Sequence, residues 1–256
     1  MPQVPDDIAA AAERLGLRVV KVIQRTDKTM LAKGLLAEQP VAVKCLLGSD
    51  PFWTAKWRHE VHVYRVFADS PPPLRVPRLL YTDNTRLLVL EWLEGRRLDD
   101  DRYPQRALSA DEVDAVLGCL NAVNQWSAPH GRFEAVFDYP DRFRRYHAKG
   151  YLTDQDREGL ARLLYRAGQP SQLNHGDPLA SNILIADKTR ATLLDWEFTG
   201  IFLPGFDLAM LHTQLGANPP ALKQRIDELT RTAGIEDAFA DNLAAVLTRE
   251  LRIHQE

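Results

Sequence analysis

Cysteine is scarce in this chain of 256 residues: Cys45 and Cys119 are the two, each in an apolar context without a second cysteine nearby. That spacing excludes a zinc cluster and a disulfide framework, and it makes a reducing cytoplasm the expected compartment. Long apolar runs are missing too. No stretch approaches the roughly 18 apolar residues that cross a bilayer, and residues 1–7 hold no basic segment leading into an apolar core. Neither a membrane span nor a signal peptide is expected. An excess of basic charge is also absent. Lys and Arg number 32 against 35 Asp and Glu, so the net charge of −3 offers no electrostatic footprint for nucleic acid. No repeat or low-complexity tract is visible. What remains is 45% hydrophobic and 26% charged, an ordinary globular composition in a chain long enough for one large domain or two packed lobes.

The densest chemistry lies in residues 174–197. Asp177, Asn182 and Asp195 punctuate this stretch, and two apolar runs, 183–186 and 191–194, flank Asp187-Lys188. That pattern predicts a tight β-hairpin. A hairpin returns the chain to its start, so Asn182 at the entry and Asp195 at the exit can point at one spot. An amide oxygen and a carboxylate are hard ligands suited to Mg²⁺. Asp177 stands on the turn ahead of the hairpin, where it can meet a substrate hydroxyl. A base for the acceptor and an Asn–Asp pair for the metal are the parts of phosphoryl transfer. One Asp and one Asn at this spacing is common in turns. The compound string His-Gly-Asp, then Asn182, then Asp195-Trp-Glu after a hairpin is far more specific.

On His175-Gly176-Asp177, Asn182 and Asp195 the chain resembles the aminoglycoside phosphotransferase and choline kinase superfamily, small-molecule kinases that share the protein-kinase fold. The resemblance implies an α+β, bilobal protein-kinase-like fold. A small β-rich nucleotide-binding lobe would span 1–91, and a larger, mainly helical catalytic and substrate-binding lobe 92–256. It implies ATP and Mg²⁺ as cofactors, Asp177 as the catalytic residue, and Asn182 and Asp195 as the metal ligands. Asp207 matches an aspartate that the family places under the catalytic loop to accept backbone hydrogen bonds. His175 is expected to pack and orient that loop.

The rest of the chain reads in order as follows. A capped helix over 6–15, stopped by Gly16, precedes β-like runs at 17–24, 29–37 and 40–47, an antiparallel meander. Alternation in the third run sets Ala42 and Lys44 on one face and Val41 and Val43 on the other. A helix over 53–68 follows, with Trp57, Val61, Tyr64, Val66 and Phe67 as its apolar stripe and Glu60 as the one acid between Trp53 and Phe67. Alone, Lys44 and Glu60 read as solvated charges. By resemblance, Lys44 binds ATP phosphates and pairs with Glu60. The turn at 24–29, where many kinases are glycine-rich, has no glycine. Phosphate contacts there fall to side chains such as Thr26 and Lys28, and the choice between ATP and GTP stays open. A second hairpin, 79–81 with 87–90, ends at Glu91-Trp92-Leu93, where by resemblance the backbone of Glu91 and Leu93 meets adenine. Helices are then expected from the Ser109–Glu112 capping box to about Gln125, over 142–149 and 153–167, after Gly205, over 222–233, and from 236 to about 252.

The acceptor is a hydroxylated, cationic small molecule by resemblance. An aminoglycoside-phosphotransferase-like kinase leads, and a choline, ethanolamine or thiamine-type metabolic kinase is the alternative. Glu197 can face a cationic substrate, a metal or solvent. Trp92, Trp126 and Tyr146 are either contacts for a quaternary ammonium or core. A nucleotide-binding pseudokinase is the alternative of another class, favoured by the glycine-free turn and opposed by the intact set of five residues. A protein acceptor is disfavoured, because no Asp-Phe-Gly or Ala-Pro-Glu string is present and little chain separates Asp195 from Pro204.

Overall fold

The computed structural model describes residues 6–187, 190–215 and 220–255. Residues 1–5 at the expected signal-free start, and Lys188 and Thr189 at the hairpin tip, lie outside the described residues. Two compact units emerge from the contacts. The first comprises the described chain up to Pro71 with Arg75–Glu94 and Asp195–Phe198; the second comprises Pro72–Leu74, Gly95–Leu194 and Thr199 onward. The fold is α+β, with an antiparallel sheet near the N-terminus and a largely helical remainder.

In the first unit, helix α1 (Asp6–Arg14) leads into strands β1 (Leu17–Arg25), β2 (Thr29–Leu36) and β3 (Gln39–Leu46). Helix α2 (Pro51–Asp69) follows, then β4 (Leu79–Thr82) and β5 (Leu87–Glu91). The sheet runs β1-β2-β3-β5-β4, antiparallel throughout. Alternation on β3 behaves as expected. Val41, Val43 and Cys45 are buried in a core with Met30, Ala32, Leu87 and Val89, while Ala42 and Lys44 face the other way. Asp50 caps α2 by accepting from the N–H groups of Phe52 at 2.9 Å and Trp53 at 3.2 Å, with Pro51 in the first turn. The predicted stripe of α2 is buried, and Glu60 is buried with it.

The second unit starts with the short β6 (Arg96–Arg97) and the helices α3 (Ala110–Asn124), α4 (Tyr139–Ala148) and α5 (Asp154–Ala167). Strands β7 (Gln172–Asn174), β8 (Ile183–Asp187), β9 (Arg190–Leu193) and β10 (Gly200–Phe202) come next, then α6 (Phe206–Gln214), α7 (Pro220–Ala233) and α8 (Glu236–Gln255). Capping boxes start α3 at Ser109–Glu112 and α5 at Thr153–Asp156. Helix α4 begins three residues earlier than the apolar pattern indicates, because Asp138 caps it and Pro140 suits its first turn. Strands β8 and β9 form the predicted hairpin and continue to β6, while β7 pairs with β10. Strands β6, β7 and β10 are too short to carry a period and were not expected from sequence. Neither Cys45 nor Cys119 is in a disulfide, and both are buried. Among the described residues, no helix is long and apolar enough to cross a membrane.

Gly95 marks where β6 closes on β8. At φ +154° a Cβ would lie 2.8 Å from the Ile185 carbonyl oxygen and 2.9 Å from Leu184 Cγ. Gly95→Ala is therefore expected to destabilise the protein by about 1–3 kcal/mol, measured by urea unfolding; an unchanged midpoint would show that the β6–β8 contact gives way freely.

Candidate active site

Within the first unit, Lys44 is the centre of a charge cluster. Its position on the polar face of β3 turns the ammonium away from the Val41–Val43 core. Nζ lies 2.6 Å from Glu60 Oε2 on α2 and 2.6 Å from Asp195 Oδ1. Burial works against the ammonium, but the charges of Asp195, Glu60 and Glu197 outweigh it and hold the Lys44 pKa well above its ordinary value. Glu60 is 1% exposed, and burial, opposed by Lys44, pushes its carboxyl up to about 7. Glu197 completes the group: carboxylate oxygens of Glu60, Asp195 and Glu197 lie within 4.8 Å of one another. Three carboxylates around one ammonium leave a local excess of negative charge. A divalent cation fits that excess, and oxygen ligands are what Mg²⁺ takes.

Asp195 has φ 65°, the left-handed region that aspartate visits more readily than most residues. Trp196 behind it is fully buried and packs edge-on against Phe67 of α2 at 4.8 Å between ring centres. The backbone turn and the indole anchor together present Asp195 and Glu197, the residues on either side of Trp196.

The turn between β1 and β2 is organised by its own side chain. Thr26 Oγ1 accepts from Lys28 N–H at 3.2 Å and Thr29 N–H at 3.0 Å, so the hydroxyl is engaged in holding the turn without glycine. Lys28 Nζ sits 3.7 Å from the centre of the Trp53 ring. At the end of β5 the Glu91 N–H donates to the Arg78 carbonyl at 2.9 Å, and its carboxylate meets Arg75 and Arg78. The Glu91 N–H is thus already engaged within the first unit. Leu93 is half-buried. Trp92 carries the chain's own cation, Lys33 Nζ, at 4.2 Å from its ring centre.

In the second unit, residues 175–182 link β7 to β8, and Asp207 holds them from beneath. Its Oδ2 accepts from His175 N–H at 2.7 Å and its Oδ1 from Gly176 N–H at 2.9 Å. Gly205, at φ +85°, starts α6, and Asn174 Oδ1 accepts from the Asp207 N–H at 3.1 Å. Both His175 ring nitrogens are used, Nε2 with the Leu194 carbonyl at 3.0 Å and Nδ1 with the Asp177 N–H at 3.3 Å. Those bonds fit a neutral ring that orients the loop. Asn182 Nδ2 donates to the Asp177 carbonyl at 3.0 Å, which leaves its amide oxygen as the end suited to a metal. The Leu194 N–H donates to the Asn182 carbonyl at 2.8 Å, closing the hairpin just before Asp195.

Sequence reading missed one neighbour of Asp177. Arg249 Nη2 on α8 lies 3.2 Å from Asp177 Oδ1, and Arg249 in turn neighbours Glu250, which Arg102 grips through both carboxylate oxygens at 2.8 and 2.9 Å. In sequence these are charges on a closing helix and in a loop, indistinguishable from solvated ones. Tyr146 is core: it is buried between α4, α5 and α8 with Tyr139, Phe143 and Leu160.

Two expectations follow. Removing Lys44 leaves the buried Glu60 carboxylate without its ammonium, so Lys44→Met is expected to cost about 3–5 kcal/mol at neutral pH, less in acid, in denaturant titrations. Wild-type stability at neutral pH would rule out the compensating role. Burial pushes Asp207 up to about 7 against its two N–H bonds. The folded state then keeps a proton that the unfolded chain has lost, so stability declines as pH rises from the ordinary carboxylate range through about 7. Unfolding free energies measured across that range should decline less steeply in Asp207→Asn, the remainder belonging to Glu60 and to Asp241, which burial also raises to about 7. Equal slopes would contradict this.

The profile of the phosphotransferase enzyme family matches residues 49–244. No curated protein matches the sequence. Among solved structures, macrolide 2'-phosphotransferase MphH from Brachybacterium faecium is similar at TM-score 0.66 and 14% identity, over 98% of this chain and 93% of that one. The aminoglycoside-3'-phosphotransferase of type VIII gives 0.63 and 18%, over 94% and 97%. A mutant of aminoglycoside phosphotransferase APH(4)-Ia, in a ternary complex with ADP and hygromycin B, gives 0.59 and 15%, over 95% and 89%. At these identities the likeness establishes a shared fold.

Proposed function

The chain belongs to the phosphotransferase enzyme family, an enzyme of the small-molecule kinase kind, and from that premise we propose that it moves the γ-phosphoryl group of ATP to a hydroxyl of a small molecule. The observation that carries this is Lys44, paired at 2.6 Å with both Glu60 and Asp195. A strand lysine paired with a helix glutamate is the arrangement by which protein kinases position ATP phosphates. The ADP in the hygromycin B complex of APH(4)-Ia supports the choice of nucleotide.

In this reading Lys44 neutralises phosphate oxygens, and Glu60 keeps its ammonium on station. The backbone of Glu91 and Leu93 receives adenine. Thr26 and Lys28 shape the phosphate turn, Thr26 through the backbone it holds. Asn182, through its amide oxygen, and Asp195 would hold Mg²⁺, with Glu197 close enough to Asp195 to join them. A metal held by these residues would supply positive charge to offset what develops on the phosphates. Asp177 orients the acceptor hydroxyl and takes its proton, at a hydrogen-bond distance of about 2.6–3.2 Å.

The acceptor belongs with the hydroxylated antibiotics, of which hygromycin B in the APH(4)-Ia complex is an example. A choline-type acceptor finds less support: Tyr146 is in the core and Lys33 covers Trp92. We place the enzyme in the cytoplasm, in keeping with two buried cysteines that are not joined in a disulfide.

A coupled ADP-release assay with Mg-ATP and a panel of aminoglycosides, macrolides, choline, ethanolamine and thiamine tests the reading. Wild type is expected to turn over one acceptor, and Asp177→Ala to lose about 10²–10⁴-fold in kcat while nucleotide binding by calorimetry persists. Near-normal turnover in Asp177→Ala would remove it from the role of base.

A further inference from the structure

Arg249 lies seventy-two positions from Asp177 in sequence, yet its guanidinium is held on three sides. Nη2 reaches Asp177 Oδ1 at 3.2 Å, Nε reaches Glu250 Oε1 at 3.4 Å, and Nη1 lies 3.8 Å from Met210 Sδ on α6. Glu250 is itself fixed. Arg102 grips it bidentately, Tyr103 donates its hydroxyl to Oε2, and His254 Nε2 sits 3.0 Å from that hydroxyl. The side chains are largely withdrawn from solvent, 26% exposed for Arg249, 16% for Asp177 and 6% for Glu250. An isolated surface pair contributes little, because ordering two long side chains offsets the attraction. Here the ordering is already done by the Arg102–Glu250 fork, so little entropy is left to lose on meeting Asp177.

We propose that Arg249 is the positioning residue for Asp177: its guanidinium, itself held by Glu250, sets the orientation of the carboxylate that takes the proton of the acceptor hydroxyl. This rests on the reading of Asp177 as the base. A carboxylate on a loop otherwise rotates about its terminal torsion, which is broad and soft. Asp207 fixes the loop's backbone from below, and the guanidinium fixes the side chain from α8. Both restraints act on the same short loop, one on its backbone and one on the Asp177 side chain.

The test has two arms. In the first, urea unfolding of wild type, Arg249→Gln, Asp177→Asn and the double variant gives a thermodynamic cycle. The single effects are expected to be non-additive, since each removes the same contact; additive effects would overturn the proposal. In the second, kcat and KM are measured with Mg-ATP and the acceptor that wild type turns over best in the panel. Arg249→Gln is expected to lose about a hundredfold in kcat with KM for Mg-ATP unchanged, Arg249→Lys to recover part of it, and Glu250→Gln to show a smaller kcat loss of the same kind. Should Arg249→Gln fail to fold, the Lys and Glu250→Gln variants carry the same comparison. A rise in KM matching the fall in kcat, with no recovery in Arg249→Lys, would mark a structural residue and overturn the proposal. A non-additive cycle together with a wild type silent toward every acceptor would instead overturn the reading of Asp177 as base, and the positioning role with it.

Discussion

A lysine ammonium buried against carboxylates is the constraint on which the first unit turns. Lys44 on β3, Glu60 on α2 and Asp195 after β9 come from remote parts of the chain, and each is costly to bury alone. Together they are tolerable, so sheet, helix and the Asp195–Phe198 segment must be in register for any of them to be in place. Trp196 against Phe67 and the apolar stripe of α2 supply the packing that holds this register. The excess negative charge left by Glu197 is of the sign that a divalent cation would offset. Stability and chemistry draw on the same few atoms.

The second unit solves a different problem, keeping the polar loop that carries Asp177 rigid. Asp207 takes two backbone N–H groups of the loop, His175 uses both ring nitrogens internally, and Asn182 ties its amide nitrogen back to the Asp177 carbonyl. Every bond of this set restrains backbone. The Asp177 side chain meets Arg249 from α8 instead, which ties the closing helix to this loop.

Legibility in the sequence followed period and spacing. Alternation on β3 separated Lys44 from the core, Glu60 stood out as the one acid between Trp53 and Phe67 though not as a buried one, and the hairpin framed Asn182 and Asp195. The aspartate in Gly205-Phe206-Asp207 was visible through the resemblance, and its hydrogen bonds are there. Strands β6, β7 and β10 escaped because two or three residues carry no period; their pairing is decided by partners distant in sequence. Arg249, Glu250 and Arg102 escaped for a related reason. An arginine beside a glutamate on an amphipathic helix is an ordinary solvated pattern, and only tertiary packing turns it toward Asp177. At the β1–β2 turn, the absence of glycine has a local cause in the Thr26 hydroxyl, which caps the turn through Lys28 and Thr29.

The central claim, phosphoryl transfer to a small-molecule hydroxyl, is tested most directly by following the label of γ-labelled ATP through a reaction with the candidate acceptors and Mg²⁺. The account predicts labelled acceptor, a phosphate ester at a hydroxyl, formed by wild type and lost with Asp177. Label that stays on ATP, or appears only as free phosphate while the nucleotide binds normally, would contradict it.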